Sequence, residues 1–424
     1  MTTFAPRTAD EATEALRWAL AAGEAFEIVG SQSKRTLGRP VNVANVLDVS
    51  GISGIVSYEP AELVLTARAG TPLHVIEAAL AEHAQCLAFE PPDFSRLLAT
   101  DVPRATSESA QGVSGTLGGV VATGLSGPRR FKAGAVRDHL LGIAAVSGRA
   151  EAFVAGGKVV KNVTGYDIPK LMAGSYGTLA VLTEITMKTL PAPEDVRTLI
   201  VAGLDVGAAV DAMTRVLHSA LDVSGACHLP AEIALAGKPA NVAATAFRIE
   251  GFAVSVEFRA QELAARLSAL GALTVLRDGE CTAFWRDVRD VAPFADRSDE
   301  WVWRLSIPPA AAPAVVARIQ RELPAAKWFL DWAGGLVWLA VAPGAVIAGD
   351  SSAPRGATEC VAQIRGLLAG TEGHATLFRA PARVRAVAEV FQPQPLALAA
   401  LSQRVKAQFD PRGILNPGRM YADV

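Results

Sequence analysis

Between Ser114 and Leu190 three glycine-rich turns alternate with apolar, β-prone runs, and no other stretch restricts the chain as much. The segment opens with SGTLGGVVATGLSGPRR, continues through KNVTGYD and closes with GSYGTLAVLTEITMKTLP. Glycine at a strand end leaves backbone N–H groups unobstructed, so that several can converge on one anion. A long phosphate-bearing cofactor is the natural occupant of such a set of turns.

The rest of the chain supplies a matching turn. Thr8 and Glu11 have capping-box spacing, and Ala12, Leu16 and Ala19 follow at helical period, so a helix is expected over about Ala9–Ala22. The short apolar strand Phe26–Val29 then runs into Gly30-Ser31-Gln32-Ser33-Lys34, a small polar turn with a cation at its end. Val46–Val49, Gly54–Tyr58 and Leu63–Arg68 alternate as strands do. Thr71 and Pro72 suit the cap and first position of a helix from Leu73 to about Ala84. Arg96–Gln111 is polar and loop-like, Leu140–Val146 and Val159-Val160 are strand-like, and Asp167 caps a short helix reaching Gly174.

Pro191-Ala192-Pro193-Glu194 marks a domain boundary, after which the texture changes. Strand-like runs at Thr198–Ala202, Ala243–Ile249 and Ala253–Arg259 alternate with helical runs at Val206–Leu221 and Gln261–Leu270. A second set follows: strand Trp301–Ile307, helix Ala311–Leu323, the hairpin Trp328–Val341, helix Ala357–Leu368 and strand Ala375–Arg379. One antiparallel sheet covered by helices accounts for this order. A helix over Gln394–Gln408 and the run FDPRGILNPGR close the chain.

Composition narrows the function. The 424 residues are half hydrophobic and 19% charged, enough for two or three domains with large cores. A net charge of −2 gives no basis for nucleic-acid binding. Met1–Asp10 lacks the basic start and apolar run of a signal peptide, and Gly334–Gly349 is too short and too broken to span a bilayer. A cytoplasmic protein is expected. Cys86, Cys227, Cys281 and Cys360 show no C-x-x-C spacing, and the six histidines form no H-x-x-x-H ladder. Neither an iron–sulfur cluster nor a metal ion held by this chain alone is expected.

Taken in order, Gly30–Lys34, GTLGG at Gly115–Gly119, the strand from Asp138, Gly165-Tyr166-Asp167, Gly177-Thr178-Leu179 and the FDPRGILNPGR tail resemble the vanillyl-alcohol oxidase / p-cresol methylhydroxylase flavoprotein family. Within it, SGPRR, KNVTGYD and HATLFR are most similar to the FAD-binding subunits of glycolate oxidases. The resemblance covers essentially the whole chain, loosely over residues 195–395. It implies an α+β fold: a PCMH-type FAD-binding domain of two α+β subdomains over 1–190, an α+β cap with an antiparallel sheet over 195–393, and a helix and tail over 394–424 returning to the FAD domain.

The resemblance also implies FAD contacts. Gly30, Ser31, Gln32, Ser33 and Lys34 would wrap one side of the diphosphate, and Gly115, Thr116, Leu117, Gly118 and Gly119 the diphosphate and flavin edge. Gly165, Tyr166, Asp167, Gly177 and Ile185 would line the adenine and ribose, with Asn416, in the tail, pinning the flavin domain. Neither glycine loop contains the histidine or cysteine that links flavin covalently in many relatives, so noncovalent FAD is expected. Oxidising a 2-hydroxy acid needs a cation for the carboxylate and a proton acceptor for the hydroxyl. Arg304 and Arg379 are the candidate cations and His374 the candidate base or flavin hydrogen-bonding group; Arg129-Arg130 would face flavin, substrate or a partner.

The implied partners are a sister flavin subunit and an iron–sulfur subunit, with contact to the membrane's inner face only through them. Three readings stay open: a catalytic subunit oxidising glycolate to glyoxylate, an accessory FAD-binding or electron-relay subunit, and a stand-alone oxidase of a sugar acid or lactone.

Overall fold

The computed structural model describes residues 2–99, 115–158, 165–296, 299–343 and 354–423. Ser114, Val159-Val160, the Lys161–Thr164 part of KNVTGYD and the Arg96–Gln111 passage from residue 100 onward lie outside the described residues. The chain divides into two units, Met1–Ser126 with Gly134–Ala192 and Pro393–Val424, and Gly127–Ala133 with Pro193–Gln392. The excursion Gly127–Ala133, which carries Arg129 and Arg130, groups with the second unit although no punctuation in the sequence separates it.

The first unit has two α+β halves. Helix Ala9–Ala22 starts where Thr8 Oγ1 accepts from Glu11 N and buries Ala12, Leu16 and Ala19. Three parallel strands accompany it, with Asn45–Asp48 between Thr2–Phe4 and Phe26–Val29. The other half is a five-stranded antiparallel sheet in the order Ile55–Glu59, Val64–Arg68, Ala180–Lys188, Leu140–Ser147, Ala152–Gly156. Ala180–Lys188 lies at its centre and is buried along most of its length, which explains its nearly unbroken apolar sequence. The final helix, Leu396–Phe409, leads into a tail that returns to strand Phe26–Val29: Phe26 N donates to Ile414 O at 2.8 Å and Asn416 N to Phe26 O at 3.0 Å.

The second unit is built on an eight-stranded antiparallel sheet. From edge to edge it runs Leu273–Arg277, Asp195–Ala202, Ala244–Gly251, Gly225–Leu229, Lys327–Asp331, Leu336–Val341, Trp301–Ser306, His374–Arg379. Helices Val206–Leu217, Ala253–Leu267, Ala312–Glu322 and Pro354–Gly366 cover one face through a core that includes Trp303, Leu305, Val337, Leu339 and Leu377. Strand alternation then places Arg304 and Ser306 on the opposite face, across from Thr376 and His374.

Two expectations need correction. Ala253–Arg259 is the start of helix Ala253–Leu267, because the apolar positions that count are Val256, Leu263 and Leu267 at helical spacing. Thr71 does not cap the helix Leu73–Ala81: its hydroxyl donates to Arg68 O and accepts from Gly54 N, and Pro72 occupies the cap. Among the described residues no helix is long and apolar enough to cross a membrane.

The cap sheet contains a titratable group that couples folding to pH. His228 is buried, bonded through Nδ1 to Thr245 Oγ1, and desolvation lowers its pKa to about 4. Above pH 6.5 the ring is neutral in both folded and unfolded chains; between pH 6.5 and 4 only the unfolded chain takes the proton. Stability is therefore expected to fall over that window, by up to about 3 kcal/mol from this group. Denaturant unfolding at pH 7.5 and pH 5 should show a drop that His228→Gln largely abolishes; an identical drop in the variant would refute the assignment.

Candidate functional site

Three loops of the first unit converge on one groove. Strand Phe26–Val29 delivers Gly30 to Arg35, the short helix Leu117–Thr123 brings Thr116, Gly118 and Gly119, and the turn before strand Ala180–Lys188 brings Tyr176 and Gly177. Asn416 and Arg419 complete the lining from the tail. Thr116 caps its helix by accepting from Gly119 N at 3.2 Å. The Tyr176 turn is docked on that helix, with Tyr176 N donating to Ala122 O at 2.7 Å and Gly174 N to Val121 O at 3.0 Å.

Asn416 ties the walls together. Its Oδ1 accepts from Ile28 N at 2.8 Å, and its Nδ2 donates to Tyr176 O at 2.7 Å. A side chain at Gly177 is excluded twice, by φ +69° and by the 2.8 Å that a Cβ would leave to Asn416 Nδ2. Gly115 does not line the groove but makes room for its cation: a Cβ there would lie 2.5 Å from Lys34 Nζ.

The groove carries Lys34, Arg35 and Arg419, and no carboxylate appears among its described lining residues. Arg35 is anchored on Glu27, with Nη2 to Oε2 at 2.5 Å, and this pairing raises its pKa. Arg419 reaches the same carboxylate at 3.4 Å and donates to Arg35 O at 2.8 Å. Backbone donors at two glycine-bearing loops plus a buried lysine suit a dianionic diphosphate. The groove therefore fits the FAD expected above.

Of the sequence candidates, Gly30, Ser31, Gln32, Ser33, Lys34, Thr116, Gly118, Gly119, Gly177 and Asn416 line this groove. Others do not. Leu117 and Ile185 are fully buried in the core behind it. Gly165, Tyr166 and Asp167 are exposed, Tyr166 to 92%, and Asp167 instead caps helix Ile168–Met172 through Lys170 N. The lining also includes Arg35, Thr123, Tyr176 and Arg419, which the sequence reading missed. Tyr176 and Arg419 each flank a glycine already singled out, and Arg35 follows Lys34 directly, so adjacency was the available signal.

The second unit gathers a different set. Arg130 and Arg304 both stack on the indole of Trp332, at 4.4 and 4.9 Å from guanidinium carbon to ring centroid. His374 is exposed at the first position of its strand; partial desolvation and the charges of Arg304 and Arg130 push its pKa below the usual histidine value. Arg129 makes a bidentate pair with Glu250, both contacts at 2.7 Å. Burial opposes ionisation of Glu250, but Arg248 and Arg129 outweigh it and hold the carboxyl at about 2. Arg379 is buried and committed to backbone: it donates to Phe294 O at 2.8 Å and to Glu300 O at 3.1 and 3.2 Å. Among the described residues no three His, Cys, Asp or Glu side chains form a group able to hold a metal ion.

The family described as "FAD binding domain" matches residues 2–100, and "FAD linked oxidases, C-terminal domain" matches residues 392–420. Glycolate oxidase subunit GlcE of Escherichia coli (strain K12) is 36% identical over 94% of this chain and 93% of its own length. A D-2-hydroxyglutarate dehydrogenase of Xanthomonas citri pv. viticola is 31% identical over 47% of this chain and 39% of its own. In fold, the chain is similar to p-cresol methylhydroxylase, with a TM-score of 0.68 over 99% of this chain and 88% of that one at 13% identity.

Proposed function

The chain belongs to the family that contains glycolate oxidase subunit GlcE, and on that premise we propose that it oxidises glycolate to glyoxylate within a larger complex. It is an FAD-linked oxidoreductase of a family acting on hydroxy acids. The observation that carries the proposal is the 36% identity along 94% of the chain, with the diphosphate-fitting groove beside it. Bound FAD supplies the two-electron acceptor.

The chain's own residues divide the remaining work. Lys34 and the N–H groups of the two loops hold the diphosphate, and Arg35 and Arg419, fixed by Glu27, keep the groove positive. The flavin is held noncovalently, since neither histidine nor cysteine appears among the described lining residues. Acid precipitation of the purified protein should release all of its flavin into the supernatant. Arg304 holds the substrate carboxylate, and His374, neutral at physiological pH, accepts the hydroxyl proton. Arg379 was the other candidate clamp; its donors to backbone carbonyls favour a structural role instead. Electrons leave to an iron–sulfur partner, and a sister flavin subunit accompanies this one.

Anaerobic mixing with glycolate tests the reading. Flavin of the purified chain, alone or once assembled with its partner subunits, should bleach. Bleaching of the chain alone makes it catalytic by itself. Bleaching of the assembled complex that survives replacement of both Arg304 and His374 here would assign the chemistry to the sister subunit. No bound flavin under any condition would remove the proposal.

A further inference from the structure

We propose that Arg130 and Arg304, gathered on the indole of Trp332, form the receptor for the carboxylate of a small 2-hydroxy acid, with Trp332 and Glu250 as positioning residues. This rests on the hydroxy-acid reading above and adds Arg130, Trp332 and Glu250 to it.

Trp332 and Ala333 have φ of +51° and +55°, and Gly334 +97°, three successive residues in left-handed territory. Left-handed backbone is unfavourable for a non-glycine residue and persists only where the surroundings hold it, as they do at ligand-binding sites.

The holding contacts are visible. Asp331 Oδ1 accepts from Trp332 N at 2.7 Å, and Trp332 Nε1 donates to Gly127 O at 3.0 Å. The indole is thus fastened to the segment that carries Arg130. That segment is itself anchored by the bidentate Arg129–Glu250 pair and by Lys132 on Asp222. A permanently ionised Glu250 keeps the anchor intact across the ordinary pH range.

A guanidinium stacked on an indole uses its face for the ring and directs its N–H donors sideways, the edge geometry that a carboxylate accepts. Two such groups from separate segments share one indole, the charges of both act on His374, and His374 stands across the strand pair from Ser306, two residues beyond Arg304. A carboxylate with an adjacent hydroxyl matches two guanidiniums and one imidazole.

Calorimetric titration of the flavin-loaded protein with oxalate, and with glycolamide as the uncharged probe, tests this. Oxalate should bind and glycolamide should not. Arg130→Gln and Arg304→Gln should each weaken oxalate by about tenfold or more, the loss of one charge-assisted pair. Trp332→Leu should weaken it while Trp332→Phe restores part, and Glu250→Gln should raise KM more than it lowers kcat. Flavin content reports folding; should Arg130→Gln lose flavin, Arg130→Lys replaces it and must still weaken oxalate. Unchanged oxalate affinity in both arginine variants, or no oxalate binding to the parent protein, overturns the proposal. Glycolate bleaching that survives in both variants would do the same while sparing the hydroxy-acid reading. Arginine-dependent oxalate binding without any glycolate oxidation would leave the receptor standing and remove that reading.

Discussion

Replacing Asp410 with alanine is expected to cost about 3–5 kcal/mol of folding stability, the usual penalty for stranding one half of a buried ion pair. Lys406 Nζ donates to Asp410 Oδ2 at 2.7 Å, to Thr178 O at 2.7 Å and to Leu415 O at 2.9 Å. Asp410 also accepts from Ile414 N at 3.0 Å and Leu415 N at 2.9 Å. Both side chains are almost wholly buried, and burial lowers the pKa of Lys406. Alanine would leave the buried ammonium without its counter-charge and two backbone N–H groups without their acceptor. The effect reaches the groove, because the same tail carries Asn416 and Arg419 a few residues on. Denaturant unfolding should show the loss, and flavin retention should fall with it. A change below about 1 kcal/mol, the scale of an exposed pair, would refute the assignment of this cluster as the tail's anchor.

Gly177→Ala is expected to weaken FAD binding by about a hundredfold or more, because the flavin-free turn can shift to relieve a strain that the bound groove must restore. The new Cβ meets Asn416 Nδ2 at 2.8 Å, and φ +69° adds a left-handed penalty of roughly 1–2 kcal/mol. To relieve the contact Asn416 must give up Tyr176 O or Ile28 N, each bond worth about 1 kcal/mol and more if its partner is left buried. Together these reach the roughly 2.7 kcal/mol that a hundredfold requires. Fluorescence titration of the flavin-free protein with FAD measures this directly. Unchanged affinity would mean that the Tyr176 turn does not shape the cofactor's groove.

Gly30–Lys34, Thr116, Gly118 and Gly119 fall on the groove because a small polar turn at the end of a strand or the start of a helix has a local cause and a local consequence. The helix cap at Thr8 and the central strand were readable for the same reason. Gly165-Tyr166-Asp167 was misplaced because a second turn, Tyr176-Gly177, offers the same two residue types eleven positions on. Only the hydrogen bond of Tyr176 N to Ala122 O decides which of the two lies on the groove. Arg304 and Arg379 read alike as strand arginines. Arg304 stacks on Trp332, whereas Arg379 is absorbed by the carbonyls of Phe294, in the short helix Ala292–Ala295, and of Glu300, neither of which its own strand's periodicity sees.

From the residues alone came the glycine loops with their lysine, the helix and strand periods, and the antiparallel cap sheet covered by helices. These depend on interactions within a few residues, where propensity, capping and glycine freedom act. Tertiary structure alone decided that the Tyr176 turn rather than Gly165–Asp167 meets the groove, that Gly127–Ala133 groups with the second unit, and that Arg130 shares an indole with Arg304. Each of these rests on a bond between distant residues, as when Asn416 reaches Ile28 across 388 positions. No local pattern encodes such a bond; it exists only once the strands between have paired and the core has closed. The glycine turns that open the sequence reading are therefore half of a site, and the fold supplies the other half.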